Sequence, residues 1–234
     1  AISSGFERVF MTGPVFRAEP SFTTRHLTEF TGWDFEISYI EDHFDVMSQM
    51  EDVLISGFKK VKEELNLEIE IPKKPFPKLA MAEVKEKLKT AGVEGPKEHD
   101  INPEEERQIS KIIKEETGHD FVFITDWHIS ERPFYHMRYE DTSEITKSFD
   151  LLYKGIEIVT GAQREHRYDV LKEQALEKGL SPDSIKDYLE FFKYGCPPHG
   201  GAGIGPARIV MKLLDLPSVK EATYLPRDVK RLKP

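Results

Sequence analysis

Two strand-like runs around a short polar loop constrain this chain more than any other feature: Val15-Phe16-Arg17-Ala18-Glu19, then Thr24-Arg25-His26-Leu27-Thr28-Glu29-Phe30. Read as one long hairpin over residues 6–39, they demand an antiparallel pair. Period-two alternation then puts Arg17 and Glu19 on one face of the first strand. It puts His26, Phe30, Asp34 and Glu36 on one face of the second. A sheet face this polar is either solvated or built to hold something. Guanidinium groups match phosphate oxygens in a fork geometry, and a phenyl ring offers a purine a face to stack on. The set suits a nucleoside triphosphate.

A second segment points the same way. His199-Gly200-Gly201-Ala202-Gly203-Ile204-Gly205-Pro206-Ala207-Arg208 is a glycine-rich run opening a helix from Pro206 to about Leu216. Proline at the first helical position and the spacing of Ile209, Val210, Leu213 and Leu214 predict an amphipathic helix. Glycines allow close approach of backbone or ligand, and Arg208 falls in the first turn. No Lys-Ser or Lys-Thr follows, so this is not a Walker loop. Pro206 stands where a dinucleotide fingerprint needs its third glycine.

Between these segments the pattern alternates hairpins with separated helices. A helix is predicted over 41–66, with Phe44, Met47, Leu54, Phe58, Val61 and Leu65 as its core stripe. Residues 70–120 are charged and proline-punctuated, with helices at 81–90 and 103–116, and read as a module inserted into one larger domain. Asn102-Pro103-Glu104 marks a helix start. Strands are expected at 120–126 and about 132–138, a second hairpin at 146–163, and helices at 167–178 and 182–194. No internal repeat is visible. This order argues α+β with an antiparallel sheet, not βαβ units. A chain of 234 residues can bury a sizeable single core.

In the second hairpin, a two-residue turn at Lys154-Gly155 would pair Tyr153 with Ile156 and Leu152 with Glu157. Asp150 then lies diagonally from Glu157 on the same face. Two such carboxylates are either solvated or share a cation, and magnesium takes one or two carboxylates together with phosphates. Arg164 follows Gly161-Ala162, and a bulge at Gly161 would change its face. From the residues alone it reads as a surface ion pair with a neighbour such as Glu165. His43, His99, His119, His128 and His136 show no metal-ligand spacing and read as surface or structural.

No apolar run approaches the roughly 20 residues needed to span a bilayer. Cys196 is the single cysteine, which excludes an intrachain disulfide and a cysteine zinc site and suits the cytoplasm. The net charge of −9 leaves nucleic-acid contacts to local basic patches. Arg227, Lys230, Arg231 and Lys233 form one, either an RNA contact or a solvated tail.

Together the two leading segments resemble the second and third signature motifs of class II aminoacyl-tRNA synthetases. Further matches are Thr28-Glu29-Phe30-Thr31-Gly32-Trp33-Asp34-Phe35-Glu36, Gly161-Ala162-Gln163-Arg164-Glu165-His166, Gly195-Cys196-Pro197-Pro198-His199 and Leu225-Pro226-Arg227-Asp228. The combination resembles the aspartyl branch of that family, of archaeal and eukaryotic type, from the first residue to the last. The resemblance implies ATP-dependent activation of aspartate to aspartyl-adenylate and transfer to tRNA, by a homodimer, with magnesium. It implies Arg17 at the α-phosphate, His26 and Arg208 at the distal phosphates, and Glu19 and Phe30 at adenine, with Arg25 also facing ATP. Asp150, Glu157 and Thr160 would hold magnesium, with Glu157 also contacting ATP. Asp34, Gln163 and Arg164 would receive aspartate, Asp34 at the α-ammonium and Arg164 at the side-chain carboxylate.

Pro20, Phe22 and Ala207 depart from the residues common in the family. The family also places an anticodon-binding barrel, a first motif that forms the dimer interface and a substrate loop ahead of these segments. The chain is therefore expected to be a catalytic domain lacking its N-terminal part, poorly active alone and exposing an apolar surface. Two alternatives remain. One is an asparaginyl-tRNA synthetase or an asparagine-forming relative, and the other is a non-catalytic paralogue.

Overall fold

A computed structural model describes residues 1–18 and 22–233. Seven strands form one sheet: β1 (Arg8–Phe16), β2 (Glu29–Ser38), β3 (Lys78–Ala80), β4 (Phe121–His128), β5 (Ile145–Tyr153), β6 (Ile156–Gln163) and β7 (His199–Ile204). Their spatial order is β1-β2-β7-β6-β5-β4-β3, antiparallel throughout except for the short parallel pair β3–β4. Among the described residues the α-helices are α1 (His43–Leu65), α2 (Met81–Thr90), α3 (Pro103–Thr117), α4 (Tyr168–Glu177), α5 (Lys186–Lys193) and α6 (Pro206–Leu213). The α+β expectation holds, with the antiparallel sheet at its centre.

One sheet face packs on α1. Asp42 caps that helix by accepting from the Phe44 amide at 2.7 Å, and Asp45 returns the bond to complete a capping box. Val46, Met47, Met50, Leu54 and Phe58 form its buried stripe, against Phe149, Leu151, Phe121, Phe123 and Ala202 of the sheet. Each such side chain contributes roughly 1.5–3 kcal/mol by leaving water. The stripe is narrower than the sequence predicted: Phe44 and Leu65 are exposed.

The opposite sheet face is shared. At the β4 end, α2 and α3 cover it through Met81, Val84, Leu88, Ile109 and Ile113, packed on Val122, Ile124 and Leu152. The two helices of the 70–120 segment thus lie on the central sheet. At the β2–β7–β6 end the same face stays open, and the candidate site lies there.

The glycine run ahead of α6 is a strand inside the sheet, where β2 and β6 approach so closely that side chains would collide at Gly200 and Gly201. Some elements differ from expectation. Residues 132–138 form no strand and contribute only the isolated bridges His136↔Arg164 and Arg138↔Thr146. The 182–194 helix begins as a 3-10 turn, Pro182–Ile185, and α6 stops at Leu213.

Candidate active site

The hairpin β5–β6 sets the geometry. Lys154 and Gly155 both adopt positive φ (47° and 78°), the turn that the flanking strand twist favours. Tyr153 faces Ile156 and Leu152 faces Glu157, as the sequence predicted. The register then shifts at Ile158, so that Leu151 faces Val159 and Asp150 faces Thr160. This bulge restores parity. It brings Glu157 and Thr160, three residues apart, to one face, with Thr160 Oγ1 3.3 Å from Glu157 Oε1.

The bulge therefore sits at Ile158 and not at Gly161, which pairs regularly with Phe149 and Ala202. Beyond the bulge Thr160, Ala162 and Arg164 share the open face. Across the sheet this face presents Asp34, Gly203, Thr160 and Asp150 as one row, and Glu36, Gly201, Ala162 and Ser148 as the next. Glycine at 201 and 203 makes the floor. The Glu36 carboxylate occupies the place where a side chain of residue 201 would stand.

Above the floor lies a cavity of about 230 Å³, lined by Arg17, Arg25, His26, Phe30, Asp34, Glu157, Thr160 and Arg208 among others. Eight residues singled out from sequence thus converge, although they span nearly the whole chain. Glu19 lies outside the described residues. His26 is not on β2 but in the turn before it, where its Nδ1 meets Thr23 Oγ1 at 2.6 Å. The Arg17 guanidinium lies 5.2 Å from the centre of the Phe30 ring. Arg208 donates from Nη1 to the Glu157 carbonyl at 2.8 Å and approaches its carboxylate at 3.3 Å.

Asp150 faces a second, polar cavity behind Glu157, lined also by Arg25, Glu106, Glu131 and Arg132. Arg132 holds Asp150 Oδ2 at 2.7 Å, while the buried Oδ1 has no hydrogen-bond partner. Burial pushes the Asp150 carboxyl up to about 6, against the pull of Arg132 and with some help from Glu157. Each carboxylate of the expected pair therefore has its own arginine. Among the described residues no group of three or more His, Cys, Asp or Glu is arranged to hold a metal.

Arg164 closes the far end of the row. Its Nη2 and Nε donate to Glu36 Oε1 at 2.7 and 3.1 Å, and its Nη1 to His136 Nε2 at 3.2 Å. The predicted neighbour Glu165 pairs instead with Arg167, at 2.8 Å. His136, read as surface or structural, is buried against Arg164. Burial, then the charges of Arg164 and Arg132, keeps its imidazole neutral, well below the usual histidine range. Asp34 is shifted upward by burial and by Glu36, with Arg164 opposing. Gln163 does not reach the cleft. It pairs with Gly200, on the side facing Val46 of α1, and its buried Oε1 has no partner.

Sequence reasoning missed Arg132, Glu106 and His136. Nothing local marks them, since each acts through a contact distant in the chain. The C-terminal basic patch is docked: Arg227 pairs with Glu29 at 2.8 Å, and its carbonyl accepts from the Thr28 amide. Lys220 and Lys230 flank the Phe22 ring at 4.0 and 4.2 Å.

Residues 1–229 match the class II tRNA synthetases (D, K and N), and the chain belongs to that family. It is 43% identical to an aspartate–tRNA(Asp) ligase of Pyrococcus furiosus, over all of this chain and 55% of the relative. It is 45% identical to an aspartate–tRNA(Asp/Asn) ligase of Aeropyrum pernix, again over all of this chain and 55% of the relative. The chain thus spans about half the length of the curated relatives it matches. The fold is similar to that of an aspartyl-tRNA synthetase from Entamoeba histolytica, with TM-score 0.93 and 35% identity, over 100% of this chain and 50% of the other. An asparaginyl-tRNA synthetase from Pyrococcus horikoshii, complexed with asparaginyl-adenylate, gives TM-score 0.89 at 30% identity, over 100% and 56%.

Proposed function

We propose that this chain carries the catalytic centre of an aspartate–tRNA ligase that activates aspartate with ATP and passes it to tRNA. The observation that carries the reading is the open sheet face that brings together the Arg17 guanidinium, the Phe30 ring, Asp34 and the Glu36–Arg164 pair. Arg17 contacts the α-phosphate, His26 and Arg208 the distal phosphates, with Arg25 alongside, and Phe30 and Glu19 the adenine. Asp34 receives the α-ammonium and Arg164 the side-chain carboxylate. The aspartate α-carboxylate attacks the α-phosphorus and pyrophosphate leaves. The terminal ribose hydroxyl of tRNA then takes the aspartyl group. Little proton chemistry is needed in the first step, so positioning and fixed charge carry the rate.

Asp150, Glu157 and Thr160 offer the oxygen donors that magnesium prefers, and the unpartnered Oδ1 of Asp150 favours an ion there. When bound, magnesium would neutralise phosphate charge. Phe10 and Trp33 are exposed apolar residues on the same face of β1 and β2, away from the cleft, which supports pairing with a second copy. No helix among the described residues is long and apolar enough to cross a membrane, and the cytoplasm is the proposed location.

One observation keeps asparagine in view. Glu36 already neutralises Arg164, so a neutral amide there strands less charge than an isolated guanidinium would. Pyrophosphate exchange by the full-length protein, with aspartate and with asparagine, tests the reading. Exchange with aspartate well above asparagine is expected. Equal or reversed rates favour the asparaginyl enzyme, and no exchange with either favours a non-catalytic relative.

A further inference from the structure

Helix α3 opens with three glutamates, two of which, Glu105 and Glu106, are buried. Glu105 serves its own helix: it accepts from the Asn102 amide at 2.9 Å in the capping box and takes Lys85 Nζ at 2.7 Å. Glu106 instead pairs with Arg25, Nη1 to Oε2 at 2.5 Å, across 81 residues of sequence. Its side chain is 4% exposed and that of Arg25 21%. Burying a carboxylate is costly, and an apolar pair of similar volume often stabilises as well, so stability alone gives little reason for this contact. Its location gives one. Arg25 lies in the turn ahead of β2 and lines both the nucleotide cleft and the polar cavity behind it.

We propose that Glu106 is a positioning residue for the nucleotide site, fixing Arg25 so that its remaining donors meet the triphosphate. The inference rests on the ATP reading above. An arginine side chain on a loop loses rotamer entropy on binding, and a partner that orders it beforehand removes much of that loss. Glu106 is held by the sheet-packed α3, so the 70–120 segment becomes part of the support of the active site. Lys85–Glu105 ties α2 to the same point.

The test is aspartate-dependent pyrophosphate exchange by the full-length protein carrying E106Q, R25A or both. E106Q keeps the size of the side chain and removes its charge. It is expected to raise the KM for ATP about tenfold, the scale of one charge-assisted contact, and to leave the KM for aspartate within about twofold. The double variant should be no worse for ATP than R25A alone, because both substitutions break one unit. An unchanged ATP KM in E106Q, additive effects in the double variant, or equal losses for both substrates would overturn the proposal. If E106Q does not fold, E106D, which keeps the charge but draws it back from Arg25, takes its place in the cycle with the same outcomes required. Absence of exchange in the unsubstituted protein would instead defeat the ATP reading itself.

Discussion

Substituting the two glycines of the cleft floor should separate folding from function. At Gly201 a Cβ would stand 2.1 Å from the Phe35 carbonyl oxygen and 2.3 Å from Glu36 Cδ. Carbon and oxygen settle at roughly 3.3 Å, so β2 and β7 must part by about 1 Å. The carbonyl belongs to a ladder and cannot rotate aside. Losing about two ladder bonds at roughly 1 kcal/mol each, with an overpacking cost of about 1–3 kcal/mol, gives a total near 3–5 kcal/mol. At Gly203 the nearest atom is Asp34 Oδ1, the end of a rotatable side chain, at 3.1 Å. G203A should therefore cost less than about 1 kcal/mol in stability. It should still raise the KM for aspartate, because Asp34 must turn away. Urea unfolding of both variants measures the first effect and pyrophosphate exchange the second. G201A within about 1 kcal/mol of the parent protein would refute the account of the floor.

Three other outcomes are expected. Arg208→Ala should weaken ATP binding by about tenfold or more, through loss of a charged phosphate partner, and equilibrium dialysis with labelled ATP reads this directly. Arg164→Leu leaves Glu36 without its cation. Aspartate-dependent exchange should fall about a hundredfold or more while ATP affinity is kept, and a retained aspartate rate would remove Arg164 from its role. His43 is buried and its pKa falls from 6.5 to about 4, chiefly by desolvation. The unfolded chain therefore takes the proton first. Stability is full above pH 6.5 and declines as pH falls to about 4, by up to roughly 3 kcal/mol. Urea midpoints measured between pH 7 and 4 should show this slope, and His43→Phe should flatten it.

Local chemistry was readable wherever one short segment decided it. Asn102-Pro103 starts α3 with the Asn102 oxygen accepting from Glu104 and Glu105, and Lys154-Gly155 turns β5 into β6 in the register derived from pairing alone. The glycines of β7 carry no apolar pattern, so periodicity gives no signal for that strand. Their reason lies in the neighbours, where the Phe35 carbonyl and Glu36 need the space. The cleft residues were legible as residue types in two motifs. What was not legible is how they are held. Glu36–Arg164, Glu106–Arg25 and Arg132–Asp150 join positions 128, 81 and 18 residues apart, and periodicity carries no information at that range. His26 was placed on a strand because alternation was extended past Glu29, where β2 begins.

The open face of β2 also acts as a ruler. Phe30, Asp34 and Glu36 project from one strand at a pitch of roughly 3.3 Å per residue, so the first and last stand about 20 Å apart. The pitch is backbone geometry, held by β1 along the interval and by β7 from Trp33 onward. On the proposed reading an occupant spans that interval from the ring to the carboxylate end, and no side-chain rotation changes the backbone spacing. A bulkier amino acid would have to displace Glu36 or Arg164. On the proposed reading, size selection in this cleft would be a matter of strand spacing, and a loop exchange that spares β2, β6 and β7 should leave it intact.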